Sequence, residues 1–182
     1  MPGFELFGDL ERKEVNDVLD TGVLMRYGFD GMRQGHWKAK ELEHAIQSRF
    51  DVKHAQLLSS GTAALHIALE TLGVDHKHEV LIPSFTFIAT ANAVKYCNAN
   101  PHFVEIEDMS LGMDFIKLDK YLQSNKFIRK KGILINKKTK KIISTIIPVH
   151  ALGNSVDIKE LIRVSKKYKL DIIEDASGSI GT

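Results

Sequence analysis

The sequence predicts an α/β fold of three layers, in which helices cover both faces of a mostly parallel sheet. After residue 40, short apolar runs of strand character alternate with segments of helical periodicity. Such alternation is typical of parallel strands joined by right-handed crossovers, whose sheet is buried on both faces. The composition agrees with this class, since the 182 residues are 43% hydrophobic and 26% charged, as in an ordinary globular chain with a core.

Helices are predicted where apolar residues recur every three or four positions, and strands where apolar and β-branched residues form short runs. Along the chain these patterns predict a helix over 41–50, a short strand over 54–59, a helix over 62–72, a strand over 79–83, a helix over 87–97, a strand over 102–107, a helix over 114–124, a strand over 142–150, a helix over 157–170 and a strand over 170–175. Asp114 and Asp157 are predicted N-caps, the second with Glu160 at capping-box spacing.

The first 40 residues are less regular, and we expect them to form an N-terminal arm beside a domain over 41–182. Within this arm, segment 26–37 carries three glycines among aromatic and basic residues, which is typical of a structured loop.

Segment 126–141 contains eight Lys or Arg residues and no acidic residue. It is predicted to form a β-hairpin in which 131–136 turns through 137–140 into the next strand. Because aromatic side chains do not alternate with the charges, this pattern favours a solvated rim over a nucleic-acid-binding surface.

Charge and cysteine content exclude several classes of protein. A net charge of +2 and a pI near 8.5 do not indicate a nucleic-acid partner. The single cysteine, Cys97, cannot form a disulfide within the chain and leaves no Cys-based metal cluster, while His76 and His78 are interpreted as surface histidines, so no metal site is expected.

The first residues do not resemble a signal peptide, and no apolar run reaches about 18 residues, so we expect a cytoplasmic location without membrane contact.

Small or polar residues follow four of the predicted strands, within the motifs SSGT, PSFTF, PVH and EDAS. In an open parallel sheet the carboxyl ends of the strands share one edge, where ligands bind. Thr62, Phe87, His150 and Asp175 are therefore predicted to converge on one site.

The first of these motifs allows two interpretations. Ser60 and Thr62 could simply cap a helix, or the free N–H groups that follow Ser60 could bind a phosphate, with Gly61 permitting close approach. The motif contains neither the GK[ST] of a Walker loop nor GxGxxG.

The other three positions also have an ordinary alternative each. Phe87 could belong to the core or could stack on a ligand, and His150 could be a satisfied interior histidine. Asp175 ends an apolar run, so its carboxylate should be partly buried and needs a partner. That partner could be a cationic ring nitrogen or a backbone N–H group.

Four motifs, SSGTAALHIAL, IPSFTFIATANAV, PVHALGN and IIEDASGSIG, resemble in order and spacing the DegT-type sugar aminotransferases. These are pyridoxal-phosphate enzymes of the aspartate-aminotransferase fold, type I. The resemblance covers nearly the whole chain and implies the large, cofactor-binding domain of such an enzyme.

The resemblance implies a role for each matching residue in holding pyridoxal 5′-phosphate. Ser60, Gly61, Thr62 and Ala63 match the loop that holds the phosphate. Phe87 matches the aromatic residue that stacks on the pyridine ring, Asp175 matches the carboxylate that pairs with the ring nitrogen, and Gly178 stands where the family usually has Gln, His or Glu in contact with the ring. Arg26 and Tyr27 in the arm, and His150, are candidates for contacting an anionic substrate.

The family's Schiff-base lysine lies downstream of these motifs, beyond Thr182, and no lysine of the chain stands in a matching motif. We therefore expect an N-terminal portion that ends before the small domain, contains no catalytic residue and does not catalyse transamination.

The substrate implied by the resemblance is a keto sugar of cell-surface or lipopolysaccharide synthesis. The opening residues resemble aminotransferases of 8-amino-3,8-dideoxy-octulosonate, whereas 135–154 resembles those acting on UDP- or GDP-linked 4-keto hexoses toward nonulosonic acids. The family also implies glutamate as amino donor and a homodimer.

Two alternatives stay open from the sequence. One is a pyridoxal-phosphate-dependent sugar dehydratase, in which histidine replaces the lysine. The other is a non-catalytic α/β module that binds a nucleotide or phosphate.

Overall fold

The computed structural model describes residues 4–181, with side chains from residue 5 onward. Contacts within the chain group into two compact units, 1–57 and 58–182. The division into an arm over 1–40 and a domain over 41–182 is a different one and stays a prediction. Within the described residues, no helix is long and apolar enough to cross a bilayer.

The first unit contains two helices, α1 (Asp9–Thr21) and α2 (Lys38–Phe50), with 3₁₀ turns at Phe4–Leu6 and Asp30–Met32. The sequence analysis missed α1 because its apolar side chains are few. Three of them, Leu10, Val15 and Leu19, are more than half exposed.

The loop between α1 and α2 is structured, as predicted. Arg33 is buried, its Nε donates to the carbonyl of Gly28 at 3.0 Å, and its guanidinium lies 4.6 Å from the centre of the Trp37 ring. These contacts join the middle of the loop, at Gly28, to its last residue, Trp37, through Arg33.

The second unit contains four helices and six strands. They are α3 (Gly61–Thr71), β1 (His78–Pro83), α4 (Ile88–Tyr96), β2 (Asn100–Val104), α5 (Phe115–Leu122), β3 (Phe127–Lys130), β4 (Ile133–Asn136), β5 (Ile142–Ile146), α6 (Ile158–Tyr168) and β6 (Asp171–Ile172). The predicted N-caps are confirmed: Asp114 accepts from the N–H of Lys117 at 2.9 Å, and Asp157 from that of Glu160 at 3.0 Å.

The strand predicted over 54–59 is wrong, because these residues have no regular structure. A strand needs a neighbour that takes up its backbone hydrogen bonds. Here the N–H of Leu57 donates to the carboxylate of Glu43 at 2.7 Å instead of entering a ladder.

The sheet runs in the order β2-β1-β5-β4-β3, and β6 pairs with β5. The pairs β1–β2, β1–β5 and β5–β6 are parallel, while β3–β4 and β4–β5 are antiparallel. The predicted hairpin from β4 into β5 is confirmed. An additional strand, β3, was not predicted, and it turns into β4 through Lys131 and Gly132, both with positive φ.

Alternating side chains of the strands divide the core into two clusters. Leu81 and Ile146 point into a cluster that contains α5 and α6, whereas Val80, Ile82 and Ile147 point into one that contains α3 and α4. Because neighbouring residues of a strand face opposite sides of the sheet, helices cover both faces. The three-layer, mostly parallel α/β fold is therefore confirmed.

Asp119 on α5 links this helix to α6. Its buried carboxylate accepts from Lys167 Nζ at 2.7 Å, Tyr168 Oη at 2.6 Å, Arg163 at 2.8 Å and the Gln123 amide at 3.1 Å. Burial raises the pKa of the Asp119 carboxyl, but these hydrogen bonds outweigh it and hold the pKa well below its usual value.

We expect Asp119→Asn to lower the free energy of unfolding by about 1–3 kcal/mol at pH 7, because it removes charge-assisted hydrogen bonds from a buried site. Since the pKa is depressed in the folded state, this contribution is present above the unfolded value near pH 4 and is lost as the pH falls further. Urea titrations followed by circular dichroism at pH 7 and pH 3 measure it.

The matched control is Asp108→Asn on an exposed loop, which should change stability by less than about 0.5 kcal/mol. Equal losses in the two variants, or a gap for Asp119→Asn that widens at pH 3, would contradict the role given to this carboxylate.

Candidate functional site

Three predicted site residues follow strands that end at one edge of the sheet. Because β1, β5 and β6 are parallel neighbours, their carboxyl ends lie side by side. Phe87 follows β1, His150 follows β5 and Asp175 follows β6. We name this edge, with these three residues, the carboxyl edge.

His150 and Asp175 are in direct contact through their backbones. The β5–β6 pairing continues past both strands in a parallel bridge between Val149 and Asp175. The N–H of Asp175 donates to the carbonyl of Pro148 at 3.0 Å, and the N–H of His150 donates to the carbonyl of Asp175 at 3.1 Å. Residues that are 25 positions apart in sequence are thus held at adjacent points of the edge.

The Asp175 carboxylate is half-buried, as expected for the end of an apolar run. Its Oδ1 accepts from the N–H of Ser177 at 3.1 Å, so the backbone alternative is realised for one oxygen. An ionised carboxylate can accept several hydrogen bonds, and this contact leaves capacity for a further donor.

His150 is buried, and both nitrogens of its ring have partners. The N–H of Val156 donates to Nδ1 at 3.2 Å, which makes Nδ1 an acceptor, and Nε2 lies 2.7 Å from Oε1 of Glu174. This is the geometry of an interior histidine. The role of His150 in contacting a substrate stays a prediction, and it requires Glu174 to release Nε2.

Glu174 is the residue of this edge that the sequence analysis missed. Its side chain is half exposed and holds the imidazole of His150. The signal that could have found it is its position, a charged residue directly after the apolar run Ile172–Ile173 and before Asp175.

Phe87 exposes 77% of its surface. It is the residue just before α4, in extended conformation, and its neighbour Thr86 shares a 2.8 Å hydroxyl contact with the buried Thr90. The alternative that Phe87 belongs to the core is therefore wrong. Stacking on a ligand stays a prediction, for which the ring is accessible.

The first turn of α3 has the cap geometry that the sequence left open as an alternative. Oγ of Ser60 accepts from the N–H of Ala63 at 3.1 Å, and the carbonyl of Ser60 accepts from Ala64. The N–H of Ala63 is thereby engaged. The N–H groups of Gly61 and Thr62 lie in the first turn, where a helix supplies no partner.

Gly61 stands in open space. A Cβ atom built on it would meet no other atom within 4 Å, so packing within the chain does not require glycine here. Leu65, one turn later, packs against the core cluster that also receives Val149 and Ile173. This cluster connects α3 to the two strands that lead to the carboxyl edge.

Gly178 is exposed, and a Cβ there would lie 3.8 Å from the carbonyl oxygen of His150, an ordinary contact. The space therefore admits a larger side chain, and the glycine is not imposed by crowding.

Arg26 and Tyr27 belong to the first unit. The Arg26 guanidinium forms an ion pair with the carboxylate of Glu43, and this hydrogen bond raises the pKa of Arg26. Tyr27 is mostly exposed. Their contact with a substrate stays a prediction. To bind an anionic substrate, Arg26 would have to contact it while also forming the ion pair with Glu43.

The model of the DegT/DnrJ/EryC1/StrS aminotransferase family matches residues 8–182. A curated relative, GDP-perosamine synthase from Vibrio cholerae, is 34% identical over 172 residues, which are 94% of this chain and 40% of the relative. The chain thus spans between about a third and two fifths of the length of the curated relatives that it matches.

Solved structures show the same fold. A DegT DnrJ EryC1 StrS aminotransferase from Brucella abortus superimposes with a TM-score of 0.75 at 27% identity, over 94% of this chain and 42% of that one. NtdA from Bacillus subtilis, with bound cofactor PMP, gives a TM-score of 0.70 at 27% identity over 93% and 34%. Because the family model matches residues 8–182, which are nearly the whole chain, the chain belongs to the DegT/DnrJ/EryC1/StrS aminotransferase family.

Proposed function

We propose that this chain holds pyridoxal phosphate at the carboxyl edge and is the cofactor-binding portion of a sugar aminotransferase. The observation that carries the proposal is that an accessible aromatic ring, Phe87, and a half-buried carboxylate, Asp175, follow parallel strands at one edge of the sheet. Membership of the family supports the same cofactor.

The residues of the carboxyl edge and of the first turn of α3 fit the parts of this cofactor. A dianionic phosphate suits the N–H groups of Gly61 and Thr62 at the start of α3, together with the Thr62 hydroxyl, because a helix N-terminus favours an anion. Ser60 and Ala63 shape this turn through their mutual hydrogen bond. The open space at Gly61 allows the close approach that a phosphate needs.

Asp175 and Phe87 would hold the ring. A carboxylate beside the pyridine nitrogen favours its protonated form, by charge and by hydrogen bonding. The Phe87 face supplies a stacking surface worth about 0.5–1.5 kcal/mol beyond burial and keeps water from one side. When bound, pyridoxal phosphate supplies an electron sink for the carbanion that transamination requires.

The positions of His150 and Pro148 keep the carboxylate of Asp175 in place. The N–H and the carbonyl of Asp175 are both hydrogen-bonded to these residues, so the backbone that carries the side chain is held in place. A fixed carboxylate loses little conformational freedom when it meets a cation, which is the benefit of a preorganised site.

For the substrate we propose a nucleotide-linked 4-keto hexose rather than a free keto-sugar acid. The similarity to a protein named GDP-perosamine synthase supports the nucleotide-linked class. Glutamate as amino donor, a homodimer, a cytoplasmic location and a place in cell-surface polysaccharide synthesis complete the proposal, and they rest on the family resemblance.

We also propose that none of the lysines in residues 1–182 forms the covalent link to the cofactor, so that this portion binds it without turnover. The lysines over 137–141 precede β5, and Lys166 and Lys167 end the helix that precedes β6. Both groups therefore stand at the amino ends of strands whose carboxyl ends lead to His150 and Asp175.

We expect the chain to take up pyridoxal phosphate, with an affinity that Phe87→Ala weakens about threefold to tenfold and Asp175→Asn weakens by about tenfold. The first change removes a stacking surface and the second removes the charge beside the ring nitrogen. Equilibrium dialysis with absorbance detection measures both. Phe85→Ala, a neighbouring exposed ring on the same loop, is the matched control and should bind as the parent does.

A parent chain that takes up no pyridoxal phosphate, or three variants with equal affinity, would contradict this site. Uptake of nucleotide without pyridoxal phosphate would instead favour the non-catalytic phosphate-binding module.

Borohydride reduction of the chain with one equivalent of pyridoxal phosphate should leave no single lysine stoichiometrically modified, because we propose that none of the lysines in residues 1–182 forms the covalent link. Mass spectrometry of tryptic peptides checks this result. A stoichiometric adduct on one lysine, prevented when inorganic phosphate is present before the reduction, would show that residues 1–182 contain the missing nucleophile.

A further inference from the structure

Three side chains that commonly bind metal ions meet away from the carboxyl edge. His66 and Glu70 are four residues apart on α3 and therefore share one face of that helix. Cys97 follows α4 directly as its C-cap residue. One imidazole nitrogen, one carboxylate oxygen and the thiol sulfur all lie within 4.8 Å of one another. We name these three residues the His66 cluster.

Packing restrains two members of the cluster. The imidazole of His66 packs edge-on against the Tyr96 ring, with 5.6 Å between centres, and its Nε2 lies 3.5 Å from Oε1 of Glu70. Cys97 is only 4% exposed, and its thiol donates a weak hydrogen bond to the carbonyl of Ala93 at 3.5 Å. Glu70 is the exposed and adjustable member.

The charges of the cluster favour a cation. Among residues 5–181, the salt bridges of Glu70 include His66 and no Lys or Arg. A carboxylate thus stands beside a thiol without a fixed positive charge, and a divalent cation would satisfy both groups.

We propose that the His66 cluster binds a divalent transition-metal ion of the Zn²⁺ class, with His66, Glu70 and Cys97 as its three protein ligands. Imidazole, carboxylate and thiolate are the ligand types that Zn²⁺ takes. As the sulfur–metal bond forms, the Cys97 S–H bond breaks and its proton passes to solvent. A water molecule completes the fourth position.

The distances require only a small adjustment. Ligand bonds of about 2.0–2.3 Å in a tetrahedron place ligand atoms roughly 3.3–3.8 Å apart. Closing a separation of at most 4.8 Å to this range needs a shift of about 1 Å, which the exposed Glu70 side chain can provide by rotation.

Such an ion would join helices α3 and α4. α3 begins with the Gly61–Thr62 turn, and α4 begins after Phe87. The ion stands independently of the proposed cofactor, because none of its ligands belongs to the set that would hold pyridoxal phosphate. Sequence spacing could not indicate the site, because Cys97 lies far along the chain from His66 and Glu70. It is also the single cysteine, so no cysteine pair marks a metal motif.

Co²⁺ titration of the chain without pyridoxal phosphate tests the proposal. Because Cys97 is the sole cysteine, a thiolate-to-cobalt charge-transfer band can arise only from it. We expect one equivalent of Co²⁺ to produce this band, Zn²⁺ to displace it, and His66→Ala to weaken binding at least about tenfold. His76→Ala, an exposed histidine outside the cluster, is the matched control and should titrate as the parent does.

A parent chain without the band would overturn the proposal, as would a His66→Ala variant with parental affinity and intact circular dichroism. If His66→Ala does not fold, Glu70→Gln on the exposed side of the cluster gives the same comparison. Zn²⁺ should also raise the unfolding midpoint of the parent and of His76→Ala, and leave that of Cys97→Ser unchanged. Equal shifts in all three would show that the ion binds elsewhere.

Discussion

Strand β5 is the constraint on which the rest of the second unit depends. It pairs with β1 along one side, and on the other side its first half meets β4 while its second half meets β6. Ile143, Thr145 and Ile146 are fully buried in this strand. Because β1 and β6 are both parallel to β5, the residues that follow all three strands must emerge at the same edge.

The fold could be predicted to the extent that local patterns determine it. Helices α3 to α6 and strands β1, β2 and β5 have clear apolar periodicity or short apolar runs, and each lies within a few residues of its predicted position. Helix α1 was missed for a local reason, its few apolar side chains, whereas other differences arise where a partner remote in sequence decides. Segment 54–59 has strand-like residues without a pairing strand, and β6 forms only where β5 offers free backbone groups.

The candidate site divides in the same way. That Phe87, His150 and Asp175 follow strands is a local property, and parallel pairing brings those strands to one edge. Side-chain contacts are not local. Glu174 contacts Nε2 of His150, and Cys97 lies beside Glu70, because segments remote in sequence meet there in the fold. Sequence periodicity reports which face a residue lies on, and it does not report which side chain stands opposite.

The hairpin formed by β3 and β4 gives the sheet a charged border. β3 is the outermost strand on its side, and Arg129 and Lys130 within it are exposed, with Lys131 at the turn. An outermost strand offers unpaired backbone groups to any other strand, including one from a second molecule. Two such borders carry the same positive charge, so they repel each other on approach. Positive charge on an outermost strand therefore opposes pairing of two such strands, and concentrated salt would screen this repulsion.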